Sequence, residues 1–78
     1  MPHISVKMLK GRTEKQKQAL ADALCEILCK QLNVPKTYVS VTVEDFTAQQ
    51  WQQVFKEDIE DKKDSIYVEP GYRPEDLL

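Results

Sequence analysis

The period of the apolar residues changes twice within residues 3–44, and this change most limits what the chain can become. Ile4, Val6 and Met8 alternate with His3, Ser5 and Lys7, which is the period-two pattern of a half-buried strand. The spacing then lengthens to three and four. Leu20, Leu24, Ile27, Leu28 and Leu32 make one helical stripe, with Ala19 and Ala23 beside them. Alternation returns over residues 38–44, where Val39, Val41 and Val43 form the apolar face. Strand, long helix, strand reads as a βαβ unit with parallel strands and a right-handed crossover. The fold class is therefore α/β.

Local signals set the boundaries. Lys10-Gly11-Arg12 is a turn in which Gly11 is free to take positive φ. Thr13 followed by Gln16 is a capping box, and Glu14 suits the first helical turn. The helix should end near Asn33, because Pro35 prevents its continuation. Thr47 and Gln50 repeat the capping signature, and Trp51, Val54, Phe55 and Ile59 share a face of a second helix. The mixed charges of residues 56–64 read as a solvated helix surface. Residues 65–68 read as a short extended piece, and Pro70-Gly71 as a turn. The tail, residues 73–78, is expected to be mobile or to lie on a neighbour.

The chain has 78 residues, so it is read as a single domain over 1–78. A core of this size contributes only roughly 3–5 kcal/mol. Cys25 and Cys29 are no disulfide pair on one helix face, and with one distant histidine they make no metal site. A two-stranded parallel sheet also has two open edges and, beyond its helix, an uncovered face. Two copies are thus expected to join edge to edge, extending the sheet by dimerisation. The net charge is −2, and only Arg12 and Arg73 are arginines, so no basic stripe for nucleic acid is present. No apolar run approaches a membrane span or a signal-peptide core, and the expected setting is the cytoplasm.

One residue has an unusual chemical capability. Pro2 follows Met1, and aminopeptidases remove an initiator methionine before a small residue. The processed chain would begin with a free secondary amine at the start of a strand. Such an amine is normally an ammonium near neutral pH and cannot accept a proton. In an apolar hollow near a cation the charged form is disfavoured, and the amine becomes a general base.

Pro2, the strand after it, Gly11-Arg12, the capped helix and the Pro35 loop into a valine-rich strand together resemble the 4-oxalocrotonate tautomerase family. Trp51 and the stretch Tyr67-Val68-Glu69-Pro70-Gly71-Tyr72 are similar to a subgroup of short bacterial members. The resemblance implies a tautomerase-like β-α-β unit with a C-terminal helical segment. It implies keto–enol tautomerisation of a small 2-oxo acid or its enol, with Pro2 as catalytic base and without metal or organic cofactor. Arg12 falls at the position that anchors a substrate carboxylate, often across a subunit interface. The position of the family's second, carbonyl-polarising arginine is Ser40 here, which departs from the pattern and brings no charge. Trp51 falls where an aromatic side chain lines the pocket, and its indole N–H is a possible donor to the enolate oxygen. The longer C-terminus favours a homodimer over the hexamer also found in the family.

Two other readings fit the same scaffold. In a hydratase–dehalogenase or decarboxylase, Pro2 stays protonated and a carboxylate activates water; Glu44 and Asp45, near the end of the second strand, are the candidates, though no sequence signal places them in the pocket. A non-catalytic oligomeric module would account for the serine at residue 40.

Overall fold

Thr13 and Thr47 start the two α-helices in the same way. Each hydroxyl accepts the amide N–H three residues on, at 3.1 Å, while the Gln16 or Gln50 side chain accepts the threonine's own N–H. These reciprocal bonds satisfy donors that a helix start otherwise leaves orphaned. In the computed structural model, which describes residues 1–78, they open α1 (Glu14–Leu32) and α2 (Ala48–Asp58). Two strands complete the regular structure, β1 (His3–Leu9) and β2 (Ser40–Phe46). The chain divides into two compact units, residues 1–45 and 46–78.

The first unit is the βαβ motif. β1 and β2 pair as a two-stranded sheet. The Ser40 N–H donates to the Pro2 carbonyl at 3.3 Å, so the starts of both strands lie together and the strands run parallel. Between them Gly11 takes φ 134°, as the turn after β1 requires. Asn33 ends α1 in the left-handed region at φ 53°, its N–H donating to the Cys29 carbonyl. Pro35 then leads into a single 3₁₀ turn, Lys36–Tyr38, closed by Tyr38 N–H donating to Pro35 O at 3.1 Å. That turn takes residues 38 and 39 out of the strand, so β2 begins two residues later than the valine pattern suggests.

Burial alternates over the first part of each strand, with Ile4, Val6, Val41 and Val43 half-buried and His3, Ser5, Ser40 and Thr42 exposed, and then stays half-buried through residues 7–9 and 45–46. On α1 the covered positions are Lys17, Leu20, Ala21, Leu24, Cys25, Leu28 and Cys29. Ile27 and Leu32, expected in the same stripe, are 56% and 59% exposed. With Ala19 and Ala23 on its exposed side, Ile27 continues a second apolar row at intervals of four. The helix is wider in apolar surface than one small sheet can cover. One ion pair ties the beginning of α1 to the end of β2: Lys17 Nζ lies 2.9 Å from Asp45 Oδ2 and 2.8 Å from Glu14.

The second unit is built on α2, whose Trp51, Val54 and Phe55 are buried. The helix stops at Asp58, and residues 60–65 form 3₁₀ turns interrupted at Lys62, with φ −117°. The charged run expected on a continuous helix surface is therefore mostly turn, pinned by Lys56–Asp61 at 3.1 Å. Residues 66–68 form no strand, and Tyr67 and Val68 are 95% and 87% exposed. The tail is not free. Pro74–Leu77 is a 3₁₀ turn held on α2, where Gln52 Nε2 donates to the Pro74 carbonyl at 2.8 Å. Tyr72 packs edge-on against Phe55 with ring centroids 5.5 Å apart.

Two measurements check these contacts. Thr47→Ala removes a cap with its reciprocal bond and should cost about 1 kcal/mol, seen as a fall of roughly 4–8 °C in the thermal midpoint, while Thr47→Ser should restore most of it. Lys17 is held above its ordinary 10.5, first by the bond to Glu14 and then by the one to Asp45. Its stabilising contribution is complete below the unfolded pKa and disappears as pH rises through the folded one. Urea melts from pH 9 upward should show an alkaline loss of stability that is smaller in Lys17→Met.

Candidate active site

Pro2 precedes β1 directly and is half-buried. Its ring fixes φ, and its carbonyl is the first acceptor of the sheet, taking the Ser40 N–H. Its position is therefore set by the backbone of both strands. Met1 before it is 94% exposed.

The same pairing brings Ser40 beside Pro2 and His3 opposite Ser40. His3 Nδ1 lies 2.7 Å from Ser40 Oγ. On its other side His3 Nε2 is 3.5 Å from Thr42 Oγ1, a longer and weaker contact. Because the side chains at 40 and 42 share a face, one imidazole bridges both hydroxyls. Alternation along β1 places His3 on the outward face and says nothing more of it. What finds this cluster is the register, which aligns residue 3 with residues 40 and 42.

Arg12 is elsewhere. It follows the Gly11 turn at the far end of β1, and its Nη1 donates to the Leu9 carbonyl at 3.3 Å. The strand from His3 to Leu9 spans roughly 20 Å at about 3.3 Å per residue. Arg12 and Pro2 of one chain thus belong to opposite ends of the sheet. The structure brings Pro2, His3 and Ser40 together and leaves Arg12 apart from them within the protomer.

Trp51 lies in the second unit, buried against Phe46, whose ring meets it edge-on at 6.2 Å. Its indole N–H is already used, donating to Tyr72 Oη at 2.9 Å. The phenol keeps its own proton available for donation. The polar tip of this aromatic cluster is therefore Tyr72, which the sequence marks only as part of a Pro-Gly-Tyr ending. The other two tyrosines, Tyr38 and Tyr67, are 50% and 95% exposed.

The two thiols make no reactive centre. Cys25 is buried, and the Cys29 thiol is pushed upward by desolvation first and by its bond to Cys25 second, with Lys36 opposing. A thiol held protonated is a poor nucleophile. No group of three or more His, Cys, Asp or Glu side chains is arranged to hold a metal ion. No helix is long and apolar enough to cross a membrane. Glu44 and Asp45 lie near the end of β2, far from Ser40 at its start, and Asp45 is engaged by Lys17.

Comparison with known proteins gives one consistent answer. The family described as "Tautomerase enzyme" matches residues 2–58. A probable tautomerase of Xylella fastidiosa (strain 9a5c) is 44% identical over 92% of this chain and 89% of its own length. The tautomerase PptA of Cronobacter sakazakii is 35% identical over 92% of this chain and 97% of its own. Among solved structures, TomN, a 4-oxalocrotonate tautomerase homologue in the tomaymycin biosynthetic pathway, is 34% identical with a TM-score of 0.61, covering 64% of this chain and 77% of that one. An apo unfused 4-oxalocrotonate tautomerase gives the same identity and TM-score over 64% of this chain and 82% of the other. With a parallel βαβ unit, a proline ahead of its first strand and relatives matched over nearly its whole length, this chain belongs to the tautomerase enzyme family.

Proposed function

We propose that the protein is a cofactor-independent tautomerase that interconverts the keto and enol forms of a small 2-oxo acid, with the amine of Pro2 as general base. Family membership supports a tautomerase-type isomerase. The observation that carries the residue assignment is the hydrogen bond from Ser40 N–H to the Pro2 carbonyl. It holds a single half-buried proline at the sheet's first rung, beside a hydroxyl that can donate to an oxyanion.

The chemistry requires removal of Met1, because an amide nitrogen accepts no proton. The high exposure of Met1 supports access by an aminopeptidase. The freed amine takes a proton from the carbon next to the carbonyl. The C–H electron pair moves into the C–C bond and charge develops on oxygen. The proline ammonium then gives that proton to the enolate oxygen and the enol forms; in ketonisation the amine takes the enol hydroxyl proton and delivers it to carbon. General base catalysis of this kind contributes about 10²–10⁴-fold.

Arg12 is the proposed carboxylate anchor. Its place at the opposite end of β1 from Pro2 means that it would serve the site of another protomer. The exposed row Ala19, Ala23 and Ile27, together with Leu32 and Tyr38, supports assembly of this kind, and a dimer is the expected form. Ser40 offers a neutral donor where an arginine would bring charge, and a neutral hydrogen bond is about half as strong. One cationic anchor suits a monocarboxylate better than a dicarboxylate. Trp51 is the proposed apolar wall.

Two experiments test the reading with phenylpyruvate enol as substrate. A variant with one alanine inserted before Pro2, its N-terminus verified by mass spectrometry, should keep its thermal midpoint and lose about 10²–10⁴-fold in kcat. Unchanged activity would remove Pro2 from the mechanism. Mixed oligomers of this blocked protein with Arg12→Ala should regain activity that neither parent has, because one site then combines an intact amine with an intact arginine. Mixtures no more active than their parents would place Arg12 outside the neighbouring site.

A further inference from the structure

Ser40 alone is a weak stabiliser of a developing oxyanion, and its hydroxyl rotates freely unless something fixes it. Here something does. His3 Nδ1 is 2.7 Å from Ser40 Oγ, a short distance for a bond involving nitrogen, and the backbone of Ser40 is tied to Pro2. Thr42 Oγ1 lies on the other ring nitrogen. An imidazole between two hydroxyl oxygens has acceptors for an N–H on either side. Ser40 has a single proton. If it spent that proton on His3, its oxygen would face an incoming substrate with lone pairs only. If His3 donates from Nδ1, the Ser40 proton is directed outward, and the oxygen that carries it is polarised by the ring behind it.

We infer that His3 is a positioning residue for the proposed tautomerase reaction: it donates from Nδ1 to Ser40 Oγ and so turns the Ser40 hydroxyl into an oriented donor for the enolate oxygen of the substrate. The pair does together what one arginine would do by charge. No covalent intermediate is involved; the proton that moves between carbon and oxygen is carried by Pro2, and the Ser40 proton is shared with the developing oxyanion and stays on serine. The inference rests on the Pro2 reading, since it concerns the charge that proton abstraction creates. It also accounts for the polar face of β1 and β2 at this end, where His3, Ser40 and Thr42 are exposed and are not required by the core.

The test is steady-state kinetics of phenylpyruvate tautomerisation by processed protein. Ser40→Ala should lower kcat about tenfold with KM within twofold, because the bond matters only once charge has formed. His3→Phe should do the same. The double variant should be no slower than either single one, since His3 acts through Ser40. His3→Asn, whose amide can donate from nearly the position of Nδ1, should recover most of kcat; a purely structural role for the ring would not be rescued by this smaller residue. The inference is overturned if His3→Phe keeps kcat within twofold of the parent, if the double variant loses the product of the two single losses, or if His3→Asn is as slow as His3→Phe. The alanine-extended protein separates the two claims. Activity surviving in it removes the Pro2 reading and this one with it. Activity lost in it, but kept in His3→Phe and Ser40→Ala, overturns the His3 assignment alone.

Discussion

The parallel pairing of β1 with β2 is the constraint on which the rest depends, and its first rung is the bond from Ser40 N–H to the Pro2 carbonyl. Parallel strands cannot be joined by a tight turn. The chain must leave β1, travel back along a helix and re-enter at the same end. α1 is that return path and is long enough to span the strands. The capped helix runs from Glu14 to Leu32, then a left-handed Asn33 and a 3₁₀ turn deliver Ser40 to the start of the sheet. The consequence is chemical as well as architectural. Residues far apart in sequence, Pro2 and His3 with Ser40 and Thr42, become neighbours, while Arg12 is carried to the other end.

The unit that does this is short of buried surface. Cys25 is the only residue of the first unit that reaches core burial, and the aliphatic residues of both strands remain half-open. A sheet of two strands and one helix cannot close a core, and a second copy is the natural remedy. The proposed site makes the same demand, because its amine and its carboxylate anchor come from opposite ends of β1. Pro2 and Arg12 lie roughly a strand length apart, and in the proposed mechanism an assembly that covers the apolar face would also bring a neighbour's Arg12 to the amine.

Much of this was legible in the sequence because it rests on local rules. Threonine three residues before glutamine announces both helix starts. Alternating Ile4, Val6, Met8 and Val39, Val41, Val43 announce the strands, and proline and asparagine announce the stop of α1. What was not legible depends on register and on tertiary choice. Nothing local tells which of Ile27 and Leu28 turns inward; the sheet decides, and Ile27 is left exposed. The charged run after Lys56 has the composition of a helix surface, but α2 stops at Asp58 and the chain continues as 3₁₀ turns. The tail reads in sequence as mobile or lying on a neighbour, yet Pro74 is held by Gln52, and Tyr72 just before it meets Trp51 and Phe55, contacts that no periodicity encodes. The His3–Ser40 bond belongs to the same class. It exists because the strands align start to start.

The central claim is that the secondary amine at the head of β1 is uncharged at working pH in the processed, assembled protein. Its direct test is a titration of the Pro2 nitrogen by NMR on uniformly labelled protein whose N-terminus has been verified as Pro2. Desolvation, with a guanidinium from a neighbouring protomer, predicts an apparent pKa of roughly 6–7, below the 7.7–8.0 of an ordinary α-amino group. A midpoint at or above that ordinary range would mean a solvated ammonium, and a protein whose proline takes no proton from any substrate.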